Sequence, residues 1–280
     1  MPGTLTLCAT PIGNLADASP RLALALSESD VIYCEDTRRS RVLLDSLGVK
    51  KRLRSYFVGN EEAREGELAA DLESGRNVAL ITDAGTPSIS DPGLSAVRVA
   101  RRAGARVTVV PGPSALTSGL LVSGFPTDRV VFEGFLPRRG RERQRRIEEI
   151  ATESRTIVLF VGASHLRDDL EELARVHPDR PICIARELTK KFEEVLWMTC
   201  SEASDAFAHR DPKGEFTLIL SAVEKQAPDI ERGIEGVLTA MAAGEAMAAA
   251  VRLVAAQFGL PRRELYERVL ARTRNTKPGP

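Results

Sequence analysis

The sequence predicts an α/β protein of two consecutive domains, followed by a small helical domain. Three observations point to it. Apolar runs of strand length alternate with amphipathic stretches up to Val110, giving five βα-type units, the pattern of an open parallel sheet. Further strand and helix patterns run from residue 130 to 221. Two of these strands are joined by less than a full crossover, so this second sheet should be mixed. Helical periodicity alone then occupies the end of the chain. At 280 residues the chain is also too long for one ordinary core.

Taken in order, residues 4–9 read as a strand and 19–29 as a helix, with Ser19 as N-cap and Pro20 at the first helical position. Val31–Cys34 is a strand, 38–47 a helix closed by Gly48, 52–56 a strand and 61–74 a helix. Val78–Ile81, a helix over 94–103 and Arg106–Val110 complete the alternation. After Pro111-Gly-Pro113 an apolar helix over 114–123 changes the character of the chain, so a boundary is placed near 115 and the first domain spans 1–115. Strands follow at 130–133, 156–161, 181–185, 193–199 and 216–221, and helices near 142–153, 165–176 and 202–209, within a second domain over 116–225. A linker around Gln226-Ala-Pro-Asp229 leads to helices at 234–242, 245–258 and 262–273, the third domain over 230–280.

Composition removes several classes of function. No apolar run approaches the roughly 20 residues of a membrane span, and the first residues lack a basic segment followed by an apolar one, so neither membrane nor export is predicted. Cys8, Cys34, Cys183 and Cys200 lie far apart inside apolar runs and read as buried thiols of a cytoplasmic protein. Three histidines, His165, His177 and His209, argue against a multi-histidine metal site, and no metal is predicted. Basic and acidic residues balance at 39 each, which argues against a protein coated in nucleic acid. The balance is locally uneven. Arg138-Arg-Gly-Arg-Glu-Arg-Gln-Arg-Arg146 holds six arginines in nine positions, and the last twenty residues hold six basic and two acidic groups. A charge run is usually a solvated face, but two such stretches on a neutral background also suit a local phosphate-contacting surface.

The most informative segment is Asp83-Ala-Gly-Thr-Pro-Ser-Ile-Ser-Asp-Pro-Gly93, which follows a predicted strand. Ligands of a parallel sheet sit at the carboxyl ends of its strands. Here Gly85 and Gly93 can adopt positive φ, while Pro87 and Pro92 stiffen the loop and remove amide donors. Two similar loops, Ala9-Thr-Pro-Ile-Gly-Asn14 and Pro111-Gly-Pro-Ser-Ala115, follow other strands. None carries Gly-Lys-Ser/Thr and none is Gly-x-Gly-x-x-Gly, so neither a P-loop nor the usual dinucleotide fingerprint is present. Small side chains and backbone groups, with Asp83 as the main charge, suit a ligand with hydroxyls, an amine and an adenine-like ring better than a polyphosphate. Glu35, Asp36 and Arg38 also follow a strand, as do Arg186, Glu187 and Lys190, and each set could equally be a cap or a surface ion pair. His165 opens a helix and reads as a capping or packing residue at least as readily as a functional one. In the tail, a helix, Gly259-Leu-Pro261 and a second helix with Arg262, Arg263 and Arg268 have helix-turn-helix spacing, a weak sign of nucleic-acid binding.

Together, Thr10-Pro-Ile-Gly-Asn-Leu15, Cys34-Glu-Asp-Thr-Arg38, the Asp83–Gly93 loop, Pro111-Gly-Pro-Ser-Ala115, Phe132-Glu-Gly-Phe-Leu-Pro137, Ala185-Arg-Glu-Leu-Thr-Lys190 and Lys213-Gly-Glu-Phe216 occur in the order of a known family. They resemble the small-subunit ribosomal RNA methyltransferase I family, cytidine 2′-O-ribose methyltransferases of the tetrapyrrole methylase superfamily. Glu264-Leu-Tyr266 adds a weaker match in the tail. Two stretches depart from the family pattern: Val161-Gly-Ala-Ser-His-Leu166 replaces an aromatic-Glu-Ser-Pro-His-Arg stretch, and Gly59-Asn-Glu61 replaces His-Asn-Glu.

The resemblance implies two α/β domains of the tetrapyrrole methylase type with S-adenosylmethionine in the cleft between them, a homodimer, and 16S rRNA or the small ribosomal subunit as partner. Carried over by motif, the cofactor residues are Pro11, Ile12, Gly13, Asp83, Ala84, Gly85, Thr86, Pro87, Ile89, Ser114 and Ala115. Candidates for a base or an alkoxide-stabilising cation are Glu35, Asp36, Glu187 and Lys190, with no choice among them. Arg38, Arg186 and Arg138, Arg139, Arg141, Arg143, Arg145 and Arg146 are expected to hold RNA phosphates. The rival expectations are a methyltransferase acting on a small tetrapyrrole precursor and a non-enzymatic nucleic-acid-binding protein.

Overall fold

The computed structural model describes residues 1–223 and 230–275, so the linker expected at 226–229 lies outside the described residues. Met1–Val223 form one compact unit that contains two five-stranded sheets. The first is built from β1 (Thr4–Cys8), α1 (Pro20–Glu28), β2 (Val31–Cys34), α2 (Thr37–Ser46), β3 (Leu53–Ser55), α3 (Glu61–Glu73), β4 (Val78–Ile81), α4 (Leu94–Arg102) and β5 (Arg106–Val110). All pairs are parallel, in the order β3-β2-β4-β1-β5. β2 and β4 are buried at every residue, as strands with helices on both faces must be. Alternation along them feeds two cores. Tyr33, Val78 and Leu80 pack with Leu68, Leu72 and Val99 of α3 and α4. Ile32, Cys34, Ala79 and Ile81 pack with Leu22, Leu26 and Leu44 of α1 and α2. The expected Ser19 cap is present, its hydroxyl accepting from the Leu22 amide at 3.1 Å.

The second sheet follows α5 (Ala115–Ser123) and contains β6 (Val130–Gly134), α6 (Arg141–Thr152), β7 (Thr156–Gly162), α7 (Leu166–Val176), β8 (Pro181–Arg186), β9 (Glu194–Thr199), α8 (Cys200–Phe207) and β10 (Glu215–Leu220). Its order is β6-β7-β10-β8-β9. Only β6 and β7 run parallel, so the sheet is mixed as expected. Ile157, Leu159, Leu218 and Leu220 face a core closed by α6, α7 and α8. On the other face Val158, Cys183 and Ile219 meet α5 and, from the first half of the chain, Ile12. α5 can lie this close to β10 because Gly119 has no side chain: a Cβ there would stand 2.8 Å from Thr217 Cγ2.

At the far end of β8 the fully buried Arg180 ties elements together. Its guanidinium donates to the carbonyls of Ser221 at 2.8 Å, Ile150 at 2.5 Å and Glu153 at 3.2 Å. A buried cation is tolerated there because every donor arm meets an oxygen.

The tail contains α9 (Ile230–Ala242), α10 (Met247–Phe258) and α11 (Arg262–Asn275) around its own core of Ile234, Val237, Val251, Val254, Leu265 and Val269. α9 begins at Ile230 rather than 234, because Ile230 packs on the same core. Gly259 ends α10 in the left-handed conformation, φ 62°, which makes the turn into α11.

Candidate active site

The strand order decides where the site lies. β1 is flanked by β4 and β5, so the three glycine- and proline-rich loops leave adjacent strands. They are also bonded to one another. Thr10 and Gly85 exchange two backbone hydrogen bonds, at 2.8 and 3.1 Å, and the Thr86 hydroxyl donates to the Pro113 carbonyl at 3.3 Å. Gly85 takes φ 78°, where a side chain is strained, and its hydrogen side meets Ile12.

These loops form one wall of a cleft of about 310 Å³. Ile12, Ala84, Gly85, Thr86, Ile89, Ser114 and Ala115 line it, seven of the cofactor positions implied by the resemblance. Pro11, Gly13, Asp83 and Pro87 do not. Pro11 and Pro87 are buried behind the wall, and Gly13 makes room for the Lys190 stem, since a Cβ there would lie 2.3 Å from Lys190 Cγ. Asp83 faces the end of β2, accepting from the Asp36 amide at 3.0 Å and pairing with Arg39 at 3.2 Å. The opposite wall comes from the second sheet: Phe160, Val161 and Gly162 at the end of β7, Ala185 and Leu188 at the end of β8, and Glu215, Phe216 and Thr217 at the start of β10. Because β10 runs antiparallel to β7 and β8, its first residues meet their last ones.

Of the four catalytic candidates only Lys190 lines the cleft. Its ammonium donates to Glu187 at 2.9 Å and to Glu215 at 2.8 Å. Burial works against the charge, but these two carboxylates outweigh it and hold the Lys190 pKa above its ordinary value. Glu187 feels the same balance reversed: burial raises it, while Lys190 and the Glu215 amide bring it below the usual carboxylate range. Glu187 also accepts from the Glu215 amide at 2.9 Å, and Gly214 leaves it room. Glu35 and Asp36 stand apart from the cleft lining. Asp36 caps α2 and is held by Arg38, the main cause of its depressed pKa. Glu35 accepts from the Asp83 amide at 3.4 Å, and burial, then the Asp83 charge, raise its pKa.

The structure adds residues that the sequence reading did not nominate. Phe135, Phe160, Glu215 and Asp91 all line the cleft. All but Phe160 stand inside motifs already singled out, so the signal was present but not their orientation. Burial, then the charges of Glu35, Asp83 and Glu215, push the Asp91 carboxyl up to about 7.

The arginine run divides. Arg143 is buried on α6 and pairs with Asp169 at 2.8 Å and Glu172 at 3.1 Å. Arg146 pairs with Glu133 at 3.1 Å, and Arg145 with Glu142 at 2.8 Å. Arg138, Arg139 and Arg141 are exposed and form no ion pair among the described residues. Arg138 and Arg139 border a hollow of about 560 Å³ with His165 and Arg175, beside three carboxylates on α7. Arg38 is exposed and bound to Asp36, and Arg186 donates to the Lys213 carbonyl at 2.9 Å.

A parallel sheet and a mixed sheet thus enclose a cleft walled by loops. Residues 4–204 match the family of tetrapyrrole (corrin/porphyrin) methylases, and residues 227–273 match the RsmI C-terminal HTH domain. Among solved structures the chain is similar to uroporphyrin-III C-methyltransferase from Thermus thermophilus in complex with S-adenosyl homocysteine. That likeness has a TM-score of 0.55 and 21% identity, covering 78% of this chain and 97% of that one, and it speaks for the fold. Closer in sequence is ribosomal RNA small subunit methyltransferase I of Thermotoga maritima, 44% identical over 79% of this chain and all of the relative. The Xylella fastidiosa (strain Temecula1) protein of the same name is 41% identical over 95% of this chain and 98% of its own length. The chain belongs to the ribosomal RNA small subunit methyltransferase I family.

Proposed function

We propose that this chain transfers a methyl group from S-adenosylmethionine to the ribose 2′-hydroxyl of a cytidine in 16S rRNA. The observation that carries the cofactor assignment is the charge of the cleft. Among the described residues the one cation that lines it, Lys190, is already matched by two carboxylates, Glu187 and Glu215. Such a lining repels a polyphosphate and suits a ligand bearing a sulfonium and an ammonium group. Ile12, Ile89, Leu188, Phe135 and Phe160 offer apolar surface for an adenine ring, and the volume is of small-ligand size. The residues present therefore fit the cofactor.

Ile12, Ala84, Gly85, Thr86, Ile89, Ser114 and Ala115 would hold it, with Pro11 and Pro87 packed behind them, Gly13 leaving room for Lys190 and Asp83 tying the loop to the end of β2. When bound, S-adenosylmethionine supplies an electrophilic methyl group next to a sulfur that can leave as a neutral thioether. The chain's task is alignment of the ribose oxygen with that methyl, and alignment alone supplies a large share of such a rate. The apolar walls exclude water. Lys190, oriented by Glu187 and Glu215, is the cation available to a developing alkoxide. Glu35 and Asp36 brace the loop around Asp83 and act at one remove.

Substrate contact is assigned to the exposed Arg138, Arg139 and Arg141, with the helix-turn-helix tail as a second contact. We further propose three domains with boundaries near 115 and 225, a cytoplasmic location and a working homodimer. The exposed Leu121 and Trp197 favour a second copy: Trp197 is tied to the end of α5 by its bond to the Ser123 carbonyl, leaving both side chains on the surface.

The test is a mass-spectrometric map of small-subunit rRNA treated with purified protein and S-adenosylmethionine. One new cytidine ribose methylation is expected, with a rate that falls steeply with salt. An unmodified rRNA from a protein that binds the cofactor would refute the substrate, and no calorimetric binding of S-adenosylmethionine would refute the cofactor.

A further inference from the structure

We propose that Asp91 is the base that accepts the ribose hydroxyl proton in this cleft, an inference that rests on the methyl-transfer reading above. The segment carrying it is unusually constrained. Ser88 and Ser90 take φ 72° and 63°, the left-handed region that costs a non-glycine residue free energy. They stay there because the loop is closed on itself: the Ser88 amide donates to the Pro92 carbonyl at 3.1 Å and the Ile89 amide to the Thr86 carbonyl at 3.2 Å. Gly93, at φ 144°, sits under this turn, where a Cβ would lie 2.5 Å from Ser88 Oγ. Its amide donates to Glu61 at 3.2 Å. Strain held in this way places Asp91 on the cleft wall.

The neighbouring carboxylates are all engaged. Glu187 and Glu215 hold Lys190, Asp83 binds Arg39 and the Asp36 amide, Glu35 accepts from the Asp83 amide, and Asp36 is bound by Arg38. Among the described residues no hydrogen bond or ion pair reaches the Asp91 side chain, so its lone pairs are available to a ligand. The groups that act on it electrostatically are Glu35, Asp83 and Glu215, and Lys190 is committed to the last of these. Burial and these like charges bring its pKa to about 7, where a base is half ionised at neutral pH and still strong enough to take a proton. In the step itself the hydroxyl oxygen forms its bond to the methyl carbon and its proton passes to an Asp91 oxygen. The methyl–sulfur bond breaks, and its electron pair stays on sulfur.

The test uses the full chain, Asp91→Asn and Asp91→Glu, with small-subunit rRNA and S-adenosylmethionine. D91N should lose about 10²–10⁴-fold in kcat while its calorimetric affinity for the cofactor stays within about threefold of the parent. The parent rate should rise about tenfold per pH unit below about pH 7 and level off above it. D91E should keep that rising limb at a reduced rate, and D91N should lack it. In ligand-free protein, the carboxyl ¹³C resonance missing from D91N should titrate near 7. D91N activity close to parental, or a resonance titrating in the ordinary aspartate range, overturns the assignment. A loss of cofactor affinity as large as the loss of rate also overturns it, making Asp91 a ligand of the ammonium group. A parent protein that binds the cofactor yet leaves rRNA unmodified fails the underlying reading instead, and the ribose acceptor falls with it.

Discussion

Replacing Arg180 by methionine tests how the second sheet is held to α6. The side chain donates to three carbonyls, but these do not depend on it equally. Ile150 O also accepts from the Glu153 amide at 3.3 Å, and Glu153 O from the Val223 amide at 3.2 Å. Arg180 is the partner of Ser221 O, at 2.8 Å. Losing that one bond orphans a carbonyl at about 1–3 kcal/mol, and weakening the other two costs about 0.5–1.5 kcal/mol each. Against this stands the release of a buried guanidinium, whose desolvation already lowers its pKa to about 10. From a gross loss of about 2–6 kcal/mol, the release of the buried charge returns about 3 kcal/mol, so the net loss is at most about 3 kcal/mol, or up to roughly 12 °C in melting temperature for a unit of this size.

The single tryptophan, Trp197 in β9, reports unfolding of this unit by fluorescence in urea. Arg180 precedes β8 and the cleft residues follow it, so affinity for S-adenosylmethionine should be unchanged under native conditions. An R180M protein as stable as the parent, or more so, would refute the reasoning by showing that burial of the charge costs more than its three bonds return.

Asp91 also makes a prediction about stability. Its carboxyl moves from 3.8 to about 7 on folding, so between those values the native chain binds more protons than the unfolded one. Stability is therefore lost as pH rises through that window. D91N should unfold at a higher temperature than the parent above pH 7, by about 1 kcal/mol after allowance for partial exposure, and the difference should vanish in acid. Calorimetric melts at both pH values check this, and equal melting above neutrality would remove the argument for a raised pKa. The arginine run should separate into two phenotypes. R143M leaves the buried Asp169 without its cation and should cost roughly 3 kcal/mol in urea melts. The R138E/R139E pair should keep the parental melting curve but weaken rRNA binding and flatten its salt dependence by about one unit of slope per removed phosphate contact. Binding unaffected by the pair would make those side chains solvated surface.

Much of the framework was legible because it is written in local periodicity. Continuous apolar runs at Val31–Cys34 and Val78–Ile81 read as strands, and Ser19-Pro20 marked a helix start that the hydroxyl then caps. The cofactor loops were legible for a related reason: glycine and proline constrain the backbone wherever they stand. Composition alone places Arg143 among the phosphate-binding arginines, but it is buried on α6 and paired with Asp169 and Glu172. Read with helical spacing, 143, 147 and 150 fall on one face, and the two isoleucines on that face are core residues.

The functional carboxylates could not be separated in the same way. Asp36 and Asp91 both follow strands and both stand in polar motifs. One becomes a helix cap bound to Arg38, and the other faces the cleft. The difference depends on partners brought together from positions 35, 83 and 215, which no local pattern encodes.

By itself, then, the sequence determined the alternation of strands and helices and the stiff loops at their ends, which follow from short-range sterics and hydrophobic spacing, while the order of its motifs carried the resemblance to the family. The tertiary structure alone decided that the three loops leave neighbouring strands, that Lys190 is matched by Glu187 and Glu215, and that Asp91 meets the cleft with an unbound carboxylate. Electrostatic environment is a sum over distance in space, and only the fold sets those distances.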